Sequence, residues 1–187
     1  MKILDSTSLT DEQQDLLVHK TTHSSFHIQF DYRYDTSRWF DNKKKACLEY
    51  AASLWEKVIN EDFPDIAAGT TVKVLNPNTG NYNNVTLSSN VDDIVIFVGA
   101  FDLTPSSWYT QYAMAAGGFN TDYSINGRDN TSNSFQPGVG TLVVSKNPQY
   151  SDGGSAKWFI DSTPETSNDI PDRNTEYIDF IAAMTHE

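Results

Sequence analysis

Apolar and polar residues alternate most regularly across residues 24–34. Within it, the apolar residues Phe26, Ile28 and Phe30 alternate with the polar residues His27, Gln29 and Asp31. A period of two residues is typical of a strand with one buried face. The pattern therefore predicts a first strand here, and the polar residues at 35–38 predict a turn after it.

The longest helical pattern covers residues 41–62. Its apolar residues recur at spacings of three and four, and they are Cys47, Tyr50, Ala51, Leu54, Trp55, Val58 and Ile59. This spacing places them on one face of an α-helix. We predict a helix that packs on a sheet, with Asp41 as its N-cap and Pro64 just beyond its end.

Shorter apolar runs predict the other strands. Residues 93–99 are almost continuously apolar and β-branched, which is typical of a central strand buried on both faces. The remaining predicted strands are residues 70–75, 84–87 (the return of a hairpin), 112–119, 140–145 and 158–160.

Residues 177–187 predict a second long helix, capped by Asn174 or Thr175. The resulting order of elements predicts an α+β fold, with a twisted, mostly parallel sheet of about five strands packed on two long helices. One edge strand of this sheet is expected to be antiparallel. We assign residues 1–23 to an N-terminal arm or short helix and residues 24–187 to one domain.

The composition is that of a folded acidic chain. Hydrophobic residues make up 38% of the sequence, and 13 basic against 25 acidic residues give a net charge of −12. Nucleic acids and anionic membranes need a cationic protein face. We therefore expect no nucleic acid and no membrane among the partners.

The cellular compartment stays open at this stage. Cys47 is the one cysteine, so no disulfide can form within the chain. The N-terminus lacks the apolar segment of a secretory signal, and no apolar run reaches the length of a membrane span. A cytoplasmic protein, a removed signal and another export route are all compatible with these features.

His186 and Glu187 are the first candidates for chemistry. A zinc-protease helix carries H-E-x-x-H, in which two His one turn apart bind the metal and the Glu handles the proton of the attacking water. Only the first His and the Glu of this pattern are present here, as His186 and Glu187. Ala182 and Ala183 lie one turn earlier and would leave room around a metal, while the plain alternative is a pair that binds nothing.

Other polar residues are weaker candidates. Residues 122–127 resemble half of a calcium loop, but the twelfth position is Asn133 and not Glu, so a polar turn is favoured over Ca²⁺. The remaining histidines, His19, His23 and His27, are interpreted as exposed structural residues. Cys47 is interpreted as a buried structural thiol.

Four segments, in their order along the chain, resemble the N-terminal part of a metzincin-type zinc metalloprotease domain, closest to the matrixin-like members. They are the strand at 26–32 with the helix that contains 51–55, the strand at 93–97, the small-residue strand at 113–119, and 158–161 leading into 180–187. The resemblance covers residues 24–187, and it places Glu187 within the zinc helix of that family.

The resemblance implies a zinc-dependent endopeptidase, extracellular or at the cell surface, with Zn²⁺ in the complete domain. It implies that His186 is the first zinc ligand and Glu187 the general base. Protein or peptide substrates would lie along an edge strand that contains Ala113, Met114, Ala115, Ala116, Gly117 and Gly118. Because a zinc site needs at least three protein ligands, the 187 residues alone are expected to be inactive.

Two other functions remain open. One is a non-catalytic binding module of an acidic extracellular protein, which would use the Asn- and aromatic-rich loops. The other is a degenerate protease fold that serves as a scaffold. The residues that follow Glu187 in the parent gene would separate both from the protease.

Overall fold

The computed structural model describes residues 26–102, 115–119, 125, 128, 130–131, 134–150, 154–166 and 176–187, with the backbone alone at 130–131 and 134–135. The predicted N-terminal arm at 1–23 lies outside these residues. The elements are β1 Ile28–Asp31, α1 Asn42–Glu56, β2 Thr71–Leu75, β3 Tyr82–Thr86, β4 Ile94–Phe101, β5 Ala115–Phe119, β6 Asn130–Thr131, β7 Ser134–Phe135, β8 Val139–Ser145, β9 Lys157–Phe159, β10 Tyr177–Asp179 and α2 Phe180–His186.

The main sheet has four strands in the order β1-β4-β8-β5. β1 and β8 both run parallel to β4, and β5 pairs antiparallel with β8 at the edge. The fold is therefore α+β with a mixed, mostly parallel sheet, as predicted. The predicted antiparallel edge strand is present as β5, and the continuous apolar run at 93–99 becomes the central strand β4.

The prediction of about five strands in this sheet is wrong. β2 and β3 form the predicted hairpin, but it is a separate two-stranded sheet. The hairpin packs on a face of the main sheet, where Val72 and Val74 share a core cluster with Val95 and Phe97. The Thr141 hydroxyl donates to the Leu75 carbonyl at 2.9 Å and ties the two sheets together. Apolar hairpin residues thus cover the sheet instead of extending it.

Helix α1 covers the opposite face of the main sheet. Its buried side, which includes Cys47, Leu48 and Ala51, packs with Val98 and Ala100 of β4. Successive β4 side chains point to opposite faces, so one strand serves both layers. This explains why its sequence is apolar at nearly every position.

Helix α1 begins as predicted and ends early. The Asp41 side chain accepts a hydrogen bond from the Lys44 N–H at 3.0 Å, which confirms the predicted N-cap. The helix ends at Glu56, and the predicted continuation to residue 62 is wrong. Beyond the helix, Asp93 accepts from the Phe63 N–H at 2.6 Å. This buried contact competes with further helical turns for the backbone of that segment.

The prediction of a second long helix is also wrong. Tyr177–Asp179 is a strand parallel to β9, in which Ile178 lies opposite Trp158. The Asp179 side chain accepts from the Ala182 N–H at 3.1 Å and so acts as the N-cap. Helix α2 therefore spans only seven residues, Phe180–His186. The expected caps at 174 and 175 lie outside the described residues.

Among the described residues, no helix is both long and apolar enough to cross a membrane.

Candidate functional site

Helix α2 packs into the core at its start and carries the His186–Glu187 pair at its end. Phe180 is fully buried and Met184 nearly so, both in the core cluster that includes α1 residues. The Phe180 ring meets the Trp158 ring edge to face, with centroids 5.3 Å apart. His186 is the last helical residue, and both it and Glu187 are exposed. The buried start of α2 thus fixes an exposed polar end.

A hydrogen bond between the two helices fixes that end further. The indole Nε1 of Trp55, in the last turn of α1, donates to the Thr185 carbonyl at 2.9 Å. The Glu187 N–H donates to the Ala183 carbonyl at 3.3 Å, so the helical pattern continues to this residue. Hydrogen bonds at the Thr185 carbonyl and at the Glu187 N–H therefore fix the backbone on both sides of His186.

Glu187 meets the edge strand of the main sheet. The Gly117 N–H in β5 donates to Glu187 Oε2 at 3.0 Å. An added Cβ at Gly117 would lie only 2.8 Å from the Glu187 carbonyl oxygen. The predicted general base and the predicted substrate strand are therefore in direct contact. Of the other predicted substrate residues, Ala115, Ala116 and Gly118 lie in β5, whereas Ala113 and Met114 fall outside the described residues.

An apolar cavity of about 350 Å³ opens beside this contact. It lies between α1 and the main sheet, and His186 and Glu187 stand at its rim. Its wall is built mainly from hydrophobic side chains, among them Phe26, Ile28, Ile96, Phe119, Leu142 and Met184. No pattern along the chain predicts this cavity, because each of these residues is typical of an ordinary core.

The side chains around His186, the predicted zinc ligand, decide whether a metal could bind there. Within the described part of the chain, His186 belongs to no group of three His, Cys, Asp or Glu side chains close enough to share an ion. The described residues therefore do not complete a zinc site around His186.

A cluster that sequence reasoning missed consists of Asp62, Asp92 and Asp93, whose carboxylates lie within 4.8 Å of one another. The Asp93 carboxylate already accepts backbone hydrogen bonds from His27 at 2.7 Å and from Phe63. Burial and the neighbouring Asp93 raise the pKa of Asp92.

Arg128 lies against this cluster and is 1% exposed. Its guanidinium donates to the backbone carbonyls of Asp92, Asp93, Pro64 and Pro137. A fixed cation beside the carboxylates favours a structural role over metal binding. A lone Arg in a polar loop sequence gave no hint of this burial.

Among the weaker candidates, Cys47 and His27 lie within the described residues. Cys47 is fully buried and its Sγ donates to the Asp161 carbonyl at 3.2 Å, which confirms the structural thiol. Burial, with a contribution from Asp161, raises the pKa of Cys47 to about 11. His27 is exposed, and its Nδ1 lies 3.1 Å from the Glu56 carboxylate. His19, His23 and all of residues 122–127 except Ile125 lie outside the described residues.

Comparisons with protein-family models, with curated proteins and with solved structures found no match for this chain.

Proposed function

We propose that this chain is the N-terminal subdomain of a metzincin-type, matrixin-like zinc-dependent endopeptidase. The observation that carries the proposal is the 3.0 Å hydrogen bond from the Gly117 N–H to the Glu187 carboxylate. A protease of this kind needs its general base beside the strand that binds the peptide. Two segments 70 residues apart in sequence meet in that arrangement.

The edge of β5 that faces away from β8 suits a peptide substrate. An extended peptide can add to such an edge as an extra strand, with main-chain hydrogen bonds giving affinity. Among the strands that the structure describes, β5 has β8 as its one neighbour in the main sheet. Glu187 already accepts the Gly117 N–H, so a peptide would pair with the outward backbone groups on either side of this amide, and its backbone would run close to Glu187.

Glu187 would serve as the general base. It would accept a proton from the attacking water and later return it to the leaving amine. His186 would supply one zinc ligand, and the remaining ligands would come from residues that the described structure does not contain. The proposal places the enzyme outside the cell or at its surface.

The residues that follow Glu187 in the parent gene test the proposal first. A second His three positions beyond Glu187, with a further His or Asp soon after, would support it. Any other continuation would rule it out. This test needs no protein and separates the protease from both non-enzymatic alternatives.

An extended protein tests it biochemically. We expect one bound zinc per chain and cleavage of casein, with cleavage lost in Glu187→Ala and Glu187→Gln. Glu165→Gln is the matched control, because Glu165 is an exposed carboxylate in a separate turn. Equal activity in Glu187→Gln and the control would contradict the assigned base.

A non-catalytic scaffold with the same fold is the second candidate. The observation in its favour is that no described group of three potential ligands includes His186. An extended chain that folds cooperatively but binds no zinc would identify this alternative.

A further inference from the structure

Gly117 turns its amide toward the side of β5 that faces away from β8. In an antiparallel pair, the N–H and C=O of one residue both face the partner strand or both face away from it. Gly117 lies opposite Leu142 of β8, yet its N–H donates to Glu187. Gly117 therefore presents its N–H and C=O to the edge, and by alternation Gly118 faces β8.

The two adjacent glycines differ in the space around them. At Gly117, an added Cβ would lie 2.8 Å from the Glu187 carbonyl oxygen and 3.4 Å from the Glu187 Cβ. At Gly118, an added Cβ would have no atom within 4 Å. A methyl group at position 117 would therefore displace the residue that carries the carboxylate, whereas one at position 118 would not.

We propose that Gly117 is a positioning residue: its N–H holds the Glu187 carboxylate at the edge of β5 that faces away from β8, and its missing side chain permits the approach. This inference rests on the proposed function, in which Glu187 is the general base. A base held by a backbone amide is fixed before the substrate arrives, which favours catalysis by preorganisation. The contact also means that the central outward amide of β5 is already in use when no peptide is bound.

Amide hydrogen exchange of the 187-residue chain, followed residue by residue with NMR, tests the contact directly. The Gly117 amide should be protected although it faces the edge. Glu187→Ala removes the acceptor and should speed exchange at Gly117 by about tenfold, the change expected for one hydrogen bond. Glu187→Gln keeps an acceptor oxygen and should retain most of the protection. The Leu142 amide serves as the internal reference for the sheet.

Both Glu187 variants change an exposed residue outside the core, so the fold is expected to persist in each. An unprotected Gly117 amide in the wild-type chain would overturn the proposal. So would equal protection in the wild type and in Glu187→Ala. Gly117→Ala should also lose this protection, and in Gly118→Ala the Gly117 amide should exchange at nearly the wild-type rate.

Catalysis by an extended, active protein provides a second readout. Gly117→Ala should lower kcat by about tenfold with a smaller change in KM, because a misplaced base weakens the reaction more than binding. A change in KM alone would overturn the positioning role. If no extended protein cleaves peptides while the exchange pattern holds, the contact stands and the protease proposal fails. The two failures are therefore distinguishable.

Discussion

The indole of Trp55 hydrogen-bonds the backbone carbonyl of Thr185, at 2.9 Å, and so links the last turn of the long helix to the last turn of the short one. Trp55 is nevertheless 46% exposed. Its polar edge therefore holds α2 while much of its ring stays in water. Residue 185 directly precedes the His186–Glu187 pair, so this bond helps to set the position of both.

Trp55→Phe should loosen the end of α2. The substitution keeps an aromatic ring but removes the donor, so we expect a loss of about 1 kcal/mol in the free energy of unfolding. Urea denaturation followed by circular dichroism gives the global effect. Faster amide exchange at Glu187 than in the wild type would show that the loss is local, and unchanged exchange there would contradict the role of the bond.

Arg128→Met should destabilise the protein strongly. The substitution leaves buried carbonyl oxygens, including that of Asp93, without their donor, and it removes the cation beside the Asp92 and Asp93 carboxylates. We expect a loss of about 3 kcal/mol, measured by urea denaturation. Arg38→Met is the control, since Arg38 is exposed and should change stability by less than about 0.5 kcal/mol. Similar effects at both sites would refute the buried role of Arg128.

Gly99→Ala should strain the contact between β4 and Pro77, which lies in the loop between β2 and β3. An added Cβ would lie 2.6 Å from the Pro77 Cγ, in a ring that is fully buried. Because a proline ring cannot rotate away, we expect a loss of about 1–3 kcal/mol. Thermal unfolding of Gly99→Ala beside Gly118→Ala checks this, since position 118 is open. A loss in both variants would point to backbone propensity instead of overpacking.

The Cys47 thiol should make stability depend on alkaline pH. Its pKa is about 11 in the folded protein against 9.0 for the unperturbed group, because burial disfavours the thiolate. The stabilising contribution is therefore complete below about pH 9 and is lost as the pH rises toward 11. Its size is about 2–3 kcal/mol.

Urea denaturation at pH 8 and pH 10.5 measures the effect of Cys47. Cys47→Ala should show a smaller fall in stability between the two pH values than the wild type. Other groups that titrate in this range, such as lysines, are common to both proteins and cancel in the difference. Parallel falls in the two proteins would contradict the prediction.

The elements that were predicted correctly carry a strong signal within a few residues of sequence. Asp41 caps α1 through its own side chain, and the apolar run at 93–99 is continuous because both of its faces are covered. Sequence patterns did not predict the helix boundaries that are decided by contacts between distant residues. Helix α1 stops at Glu56 where Asp93 binds the next segment, and α2 starts late because Tyr177–Asp179 pairs with β9.

The candidate site shows the same division. The partial H-E-x-x-H motif indicated Glu187, and the resemblance to zinc metalloproteases indicated the strand that contains Gly117. Their contact depends on how β5, β8 and α2 pack, which no spacing along the chain encodes. Arg128 was missed for a related reason, since a charged residue in a polar loop predicts a solvated side chain until the surrounding carbonyls are known.

The bond between Gly117 and Glu187 also bears on how two molecules meet. The exposed edge of a sheet invites pairing with the edge of another chain, which is a route to aggregation. β5 has only five residues, and Glu187 already occupies the amide of the middle one. The carbonyl of a neighbouring chain could not pair with the Gly117 N–H, because the Glu187 carboxylate already accepts from it. The protein also carries a net charge of −12. The residue proposed to act on peptides thus interrupts continuous pairing between two copies of the protein at Gly117, whereas a short peptide could still pair on either side of this point.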